Sequence, residues 1–193
     1  MLYTIYLIAA SVAVFIAETF APAQMMALFA FTPASALYMP WTLLTSVFMH
    51  GGVAHLFFNM FALLMFGPLL EQKLGSKRFL ALYIAAGVVG NIGYLIYAYT
   101  MGSPIVPGIG ASGAIYGALG ALAVLEPNLT VFAYPFFIPL PLWMAAIGWI
   151  FFEFAFLGSA DLVGRAAHLG GIFLGLAYAF FLKRKADATV RWE

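Results

Sequence analysis

The stretch GASGAIYGALG, residues 110–120, decides the fold predicted for this chain. On a helix, its glycines fall on one face together with Ser112 and Tyr116: Gly113, Gly117 and Gly120. Small residues about one turn apart let membrane helices approach each other closely. Gly110 and Gly113 also leave space around the serine hydroxyl. The stretch predicts a closely packed helix that begins at an accessible serine.

A second glycine face follows in AHLGG, residues 167–171, where His168, Gly171 and Gly175 recur at i, i+3 and i+7. If the two faces pack together, Ser112 Oγ comes within reach of a ring nitrogen of His168, the pairing that a serine nucleophile needs. Tyr116, one turn below Ser112, is then placed to pack on the imidazole. Taken alone, Ser112 is also typical of a serine at the N-cap of a helix. His168 taken alone is also typical of a buried histidine where two glycine-lined helices pack together.

Composition identifies the environment of the chain. Of its 193 residues 65% are hydrophobic and 8% charged, with a mean hydropathy of +1.04. Soluble domains carry about 25% charged residues, so we expect an integral membrane protein. The absence of cysteine excludes disulfides, a thiol nucleophile and cysteine metal sites, and a net charge of +1 does not favour nucleic acid. The proposed chemistry needs no metal or other cofactor.

The apolar segments predict an all-α, polytopic bundle of six transmembrane helices in one domain, residues 1–193. Each span needs about 20 apolar residues. The predicted spans are about 2–20, 53–70, 79–99, 112–126, 135–157 and 166–182. Met1–Phe20 lacks a basic leading region and is expected to be the first span, not a cleaved signal peptide. The apolar segment 21–48 contains three prolines, which interrupt helices, and is expected to form an interfacial loop between helices 1 and 2.

Basic residues predict the orientation, because they accumulate on the cytoplasmic side. Seven of them fall in the second-to-third turn or the C-terminal tail, namely Lys73, Lys77, Arg78, Lys183, Arg184, Lys185 and Arg191, and only Arg165 falls on the opposite side. Both termini are therefore expected in the cytoplasm, with a prokaryotic plasma (inner) membrane as the location. All three histidines and Ser112 then lie toward the extracytoplasmic side.

The predicted fourth helix is too short to cross the membrane. From Ser112 to Glu126 it measures about 22 Å, against a hydrocarbon core of about 30 Å. Ser112 is therefore expected below the outer surface, under a water-accessible cavity.

Polar residues on the second span are expected to face this cavity. His55 and Asn59 are four residues apart on one face, and their N–H groups are suited to an oxyanion hole with the Ser112 amide, or alternatively to holding helices together. His50 is expected to be structural. Glu153 is the one carboxylate well inside a span, toward the outer part of the fifth, where either water or a partner is open to it. We predict no buried cation to match it and do not assign it to the catalytic group. No third catalytic acid is predicted, only a Ser112–His168 dyad.

These motifs together resemble the rhomboid family of intramembrane serine proteases in its minimal six-helix prokaryotic form. The resemblance covers about Trp41 to Leu182 and rests on the order and spacing of Trp41, His50, His55 with Asn59, the turn EQKLGS (71–76), GASG (110–113) with Tyr116, and AHLGG (167–171). Many members have arginine after this tryptophan, whereas this chain has Thr42.

The resemblance implies the roles of the site residues. Ser112 would attack a peptide bond in or beside the transmembrane segment of a single-span membrane protein, with His168 as base and then acid. His55 and Asn59 would complete the oxyanion hole, and Tyr116 would stack on His168. The turn containing Glu71 would lock helices, while the fifth span and residues 158–164 would gate and cap the site among the membrane lipids.

Other readings agree less well with the residues. An inactive rhomboid-like protein usually lacks the serine or the histidine, and both are present here. A transporter or channel predicts charges paired across spans. A metalloprotease or an aspartyl intramembrane protease would need His-Glu-x-x-His or two intramembrane aspartates, and neither occurs.

Overall fold

The computed structural model describes residues 2–133, 138–157 and 162–190. Its longer helices lie at the predicted apolar segments: α1 Leu2–Phe20, α4 Val53–Leu74, α5 Ser76–Thr100, α6 Ser112–Leu125, α7 Leu142–Ala155 and α8 Leu162–Val190. Within the described residues, four helices are long and apolar enough to cross a membrane, in the ranges Leu2–Phe20, Val53–Leu74, Ser76–Thr100 and Gly164–Lys185. Helices α6 and α7 are shorter, with 14 residues each. The chain is thus a mostly helical, integral membrane protein, and six spans remain a prediction.

The segment 21–48 is more ordered than the predicted interfacial loop. It contains two short α-helices, α2 Pro22–Phe29 and α3 Thr42–Thr45, and two 3-10 turns, Pro33–Ser35 and Ser46–Phe48. Proline begins α2 and the first turn because its missing N–H has no helical partner at that position anyway. The indole Nε1 of Trp41 donates to the Leu28 carbonyl at 2.8 Å, which ties α3 to α2. The adjoining Thr42 is buried and donates to Met39 O at 2.6 Å.

The expectation of an all-α chain omitted a β-hairpin. Strands β1 Thr130–Ala133 and β2 Ile138–Pro141 pair antiparallel between α6 and α7. The predicted fifth span began at residue 135, but α7 begins at Leu142. Residues 135–137 of the predicted span lie outside the described residues. From Ile138 to Pro141 the chain is extended, because Pro139 and Pro141 have no N–H to donate to a helical ladder.

The turn EQKLGS, residues 71–76, is almost entirely helical. Helix α4 continues to Leu74 and α5 begins at Ser76, so Gly75 alone connects them. Its φ of +77° lies in the left-handed region, which glycine adopts without the steric cost that a Cβ brings.

Backbone contact between glycines holds α6 against α8, and these helices share the most extensive contact among the described elements. A Cβ built on Gly171 would collide with the carbonyl of Gly113, and one built on Gly175 would collide with the carbonyl of Gly117. Helix α5 joins them, because a Cβ on Gly170 would lie 2.7 Å from Val89 O. All residues of α6 except Ser112, Tyr116 and Leu125 are buried.

A buried carboxylate fixes the start of α1 to the α4–α5 turn. Glu71 accepts hydrogen bonds from Tyr3 N at 3.1 Å, Thr4 N at 3.0 Å, Thr4 Oγ1 at 2.7 Å and Ser76 Oγ at 2.7 Å. The first backbone N–H groups of a helix have no helical acceptor, and a negative charge is favourable there. Glu71 therefore joins three helices at one end of the bundle.

Gly171→Ala should destabilise the protein by about 2–3 kcal/mol, because the added methyl overpacks the α6–α8 contact. Gly148→Ala is the matched control: it also lies within a helix, but nothing lies within 4 Å of its Cβ position. Thermal unfolding in detergent should show a loss for the first variant and no loss for the second. Equal unfolding temperatures would contradict the close contact.

Glu71→Ala should cost about 3 kcal/mol of unfolding free energy, since it leaves buried donors without their charged acceptor. Glu126→Gln removes a carboxylate whose ion pair with Lys73 is half exposed, at 52% for Lys73 and 40% for Glu126. Such exposed pairs contribute at most about 1 kcal/mol. Denaturant titration of both variants measures the loss of unfolding free energy in each. A similar loss in the two would contradict the role of Glu71 in joining the three helices.

Candidate active site

Ser112 is the first residue of α6 and is half-buried. The N-cap position belongs to Ala111, and no side-chain hydrogen bond caps the helix. The hydroxyl is thus not used for capping, which removes the simplest structural role considered for it. The preceding loop is held by backbone pairing: Gly108 pairs with Phe31, and Gly110 N donates to Ser46 O at 2.9 Å.

Gly110 gives other groups access to the start of α6. Its φ is +131°, within the region that favours glycine, and a Cβ at this position would lie 2.9 Å from His55 Nε2 and 3.9 Å from Ser112 Oγ. Any larger residue would therefore enter the space between the two side chains. Gly113 plays a different part, because its carbonyl is in contact with the glycine face of α8.

His168 lies on α8 in a defined orientation. Its ring stacks on that of Tyr116, with centroids 4.1 Å apart and planes 3° from parallel. Its Nδ1 lies 2.8 Å from Glu153 Oε1. The imidazole is thus held at a face and at one edge.

One cavity of about 480 Å³ brings together side chains from distant segments. Its lining is His55, Asn59, Pro107, Ile109, Ser112, Gly164 and His168. Four of the predicted site residues therefore face the same space. Residues 158–161 of the predicted capping loop lie outside the described residues.

Hydrogen bonds of His55 and Asn59 indicate which of their side-chain nitrogens carry hydrogens. Gly51 N donates to His55 Nδ1 at 3.3 Å, so the proton of a neutral ring is on Nε2, the atom near Gly110. Asn59 Nδ2 donates to His55 O at 2.9 Å, and the amide carries a second hydrogen. The side-chain N–H groups of His55 and Asn59, together with the backbone N–H of Ser112 at the start of α6, are donors of the kind that stabilise an oxyanion.

Glu153 is the site residue that the sequence analysis missed. Its Oε1 accepts a hydrogen bond from Tyr116 OH at 2.8 Å and contacts His168, and Arg165 lies 3.3 Å from its Oε2. The residue is only 4% exposed. The expectation that no buried cation pairs with it was wrong, because Arg165 lies one turn before His168 on α8. The rule that an intramembrane charge needs a partner, applied to both residues, would have suggested the contact.

His50 lies beside this site but does not line the cavity. Its Nδ1 is 3.2 Å from Phe48 O, its backbone N–H lies 3.3 Å from both Glu18 carboxylate oxygens, and its ring is 5.2 Å from that of His55. Burial and the neighbouring His55 lower the pKa of His50 to about 4. Among the described residues, no group of three or more His, Cys, Asp or Glu is arranged to hold a metal ion.

The fold and the cavity describe a helical membrane protein with a serine and a histidine in one polar site. A family model for the Rhomboid domain matches residues 38–185. Rhomboid protein 1, mitochondrial, of Saccharomyces cerevisiae is 32% identical over 164 residues, which cover 78% of this chain and 46% of that protein. RHOMBOID-like protein 6, mitochondrial, of Arabidopsis thaliana is 30% identical over 162 residues, 79% of this chain and 46% of its own length. Rhomboid protease GluP of Bacillus subtilis is 49% identical over 82 residues, 42% of this chain and 15% of GluP.

This chain belongs to the rhomboid family. The matched region spans less than half the length of each of these relatives.

Protonation of His50 should make the protein less stable in mild acid. The unfolded chain takes up a proton near the ordinary histidine pKa of about 6.5, whereas the folded chain does so near pH 4. Between these values the unfolded state binds more protons, so the free energy of unfolding falls as the pH is lowered.

The measurement is the slope of unfolding free energy against pH from 6.5 to 5, for the wild type and for His50→Gln. The wild type should lose more stability, by at most about 1.4 kcal/mol per pH unit. Identical slopes would contradict a buried, neutral His50.

Proposed function

We propose that this chain is an intramembrane serine endopeptidase that cleaves single-span membrane proteins in or beside their transmembrane segments. Ser112 is the nucleophile and His168 the general base. The observation that carries the proposal is the cavity that Ser112, His168, His55 and Asn59 line together inside a largely apolar bundle. Family membership supports it, as does the similarity to GluP, a rhomboid protease.

Acylation begins as Ser112 Oγ attacks the carbonyl carbon of the scissile bond. The hydroxyl proton passes to Nε2 of His168, and the carbonyl π electrons move to oxygen. His55, Asn59 and the Ser112 amide donate to that oxyanion. The proton on Nε2 then moves to the leaving nitrogen as the C–N bond breaks, which leaves an acyl-serine.

Deacylation uses water as the second nucleophile. A water molecule attacks the acyl carbon, His168 accepts its proton, and Ser112 recovers that proton as the ester bond breaks. The overall reaction consumes one water and needs no cofactor. Polar groups at membrane depth are tolerated where they line a water-filled cavity, so the site must admit water.

The bundle also suggests how substrate reaches the site. Helix α7 is short and makes far less extensive contact with α6 and α8 than these two make with each other. We expect a substrate helix to enter laterally beside this loosely packed helix. In the proposed orientation, the active site opens toward the extracytoplasmic side and both termini lie in the cytoplasm. The basic residues of the α4–α5 turn and of the C-terminal tail support this orientation.

Purified protein in detergent should cleave a model single-span substrate. Ser112→Ala and His168→Ala should each lower the rate by at least about 10³-fold, because each removes a group that the chemistry needs. Ser103→Ala, an exposed loop serine, is the matched control and should cleave at the wild-type rate. Cleavage retained by Ser112→Ala would refute the proposed mechanism, and an inactive wild type would instead favour a rhomboid-like client-binding protein.

A further inference from the structure

The carboxylate of Glu153 has a geometry that the proposed Ser112–His168 dyad does not require. It is buried, it lies on α7, and its Oε1 is 2.8 Å from both Tyr116 OH and His168 Nδ1. We infer that Glu153 is a positioning residue that turns the dyad into a Ser112–His168–Glu153 triad. This inference rests on the proposed function and assigns the site a third member.

The contact with Glu153 fixes the tautomer of His168. An ionised carboxylate can only accept hydrogen bonds, so the short contact requires the proton of a neutral ring to be on Nδ1. The lone pair is then on Nε2, the nitrogen that remains for the hydroxyl proton of Ser112. Without such a partner, the other tautomer would place a proton on Nε2 and leave no base there.

Tyr116 and Glu153 together hold the imidazole of His168 in one orientation. Tyr116 contacts both members of the pair, since its ring stacks on His168 and its hydroxyl donates to Glu153 Oε1. The imidazole is therefore held at its face by a ring and at its Nδ1 edge by an oxygen that the same tyrosine holds. Catalytic groups must be held in place in this way, because even a small displacement of such a group lowers the reaction rate.

The carboxylate of Glu153 stays charged in an apolar bundle because it has a charged partner. Arg165 NH1 lies 3.3 Å from Glu153 Oε2. The guanidinium carbon lies 5.1 Å from the ring centre of Phe152 and 5.5 Å from that of Phe156. A buried charge persists where it is paired and hydrogen-bonded, and Glu153 has partners at both oxygens.

The chemistry that follows is electrostatic. When His168 takes the proton of Ser112, the ring becomes a cation with protons on both nitrogens. Glu153 stays ionised, keeps accepting from Nδ1 and stabilises that cation until Nε2 passes its proton to the leaving nitrogen. No proton moves to Glu153, so the reaction balances as written for the dyad.

An alternative is that Glu153 is only a structural partner of Arg165. The two roles differ in what each substitution should do. A structural ion pair predicts equal damage from loss of either partner. The triad predicts large damage from loss of the carboxylate and smaller damage from loss of the guanidinium, because Tyr116 and His168 still contact Oε1.

The test uses Glu153→Gln in the substrate-cleavage assay. Arg165 can only donate, so it should attract the amide oxygen and turn the NH₂ group toward His168 Nδ1, which selects the wrong tautomer. We expect kcat to fall by about 10²–10⁴-fold, in line with the loss of a triad carboxylate, and KM to change by less than about threefold. Glu153→Asp should recover part of the rate, and Glu126→Gln, an exposed carboxylate, should retain all of it.

A double variant separates tautomer control from structure. Arg165→Met alone should cost less than about tenfold in kcat. In the Glu153→Gln background the same change frees the amide to rotate and accept from Nδ1, so it should restore activity relative to Glu153→Gln alone. A structural pair predicts no such rescue.

Nuclear magnetic resonance gives a readout that does not depend on the variants folding. In ¹⁵N-histidine-labelled wild type, the Nδ1 proton of His168 should resonate far downfield, and Nε2 should be unprotonated. A neutral His168 ring with its proton on Nε2 would overturn both the triad and the assignment of Nε2 as the base. A kcat of folded Glu153→Gln within about threefold of wild type would overturn the triad while leaving the dyad intact. A wild type that does not cleave would overturn both.

Discussion

The structure depends on the contact of two backbones, where α6 meets α8 through glycines. Carbonyl groups of Gly113 and Gly117 occupy the positions that side chains on Gly171 and Gly175 would need. Lipid tails are as apolar as the helix surfaces, so membrane helices gain little from hydrophobic burial and associate through close packing. The same contact fixes the position of Ser112 along the bundle and its rotation toward His168. A methyl group added to a glycine of this contact would move the two helices, and with them Ser112 and His168, apart.

Two of the polar networks in this bundle are centred on buried carboxylates, Glu71 and Glu153. Around Glu71, hydrogen bonds from α1 and Ser76 satisfy a carboxylate and tie helix ends together. Around Glu153, the partners are Tyr116, Arg165 and His168, and this network adjoins a cavity. Both networks follow the requirement that a buried charge be hydrogen-bonded or paired. They differ because the second includes His168, which lines one cavity together with Ser112.

Local patterns in the sequence predicted much of the fold and of the site. Hydropathy located the helices, and the periodicity of Gly113, Gly117, Gly171 and Gly175 identified the faces that meet. Other features depended on geometry that spacing along the chain does not encode. The hairpin at residues 130–141 was missed because its apolar, aromatic sequence is also typical of a membrane helix, and only its prolines indicate otherwise. Glu153 was missed because its partners lie on α6 and α8, and the rotation of α7 that brings them together is a result of tertiary packing.

The most direct test of the central claim is reaction of the purified protein with a fluorophosphonate, followed by peptide mass spectrometry. If α6 and α8 bring a base to the nucleophile, the wild type should carry a single adduct on Ser112. His168→Ala should lose the adduct although Ser112 remains, and Gly171→Leu, which separates the two helices, should lose it as well. An adduct on Ser112 that forms at the wild-type rate in His168→Ala, or an adduct on another residue, would contradict the account.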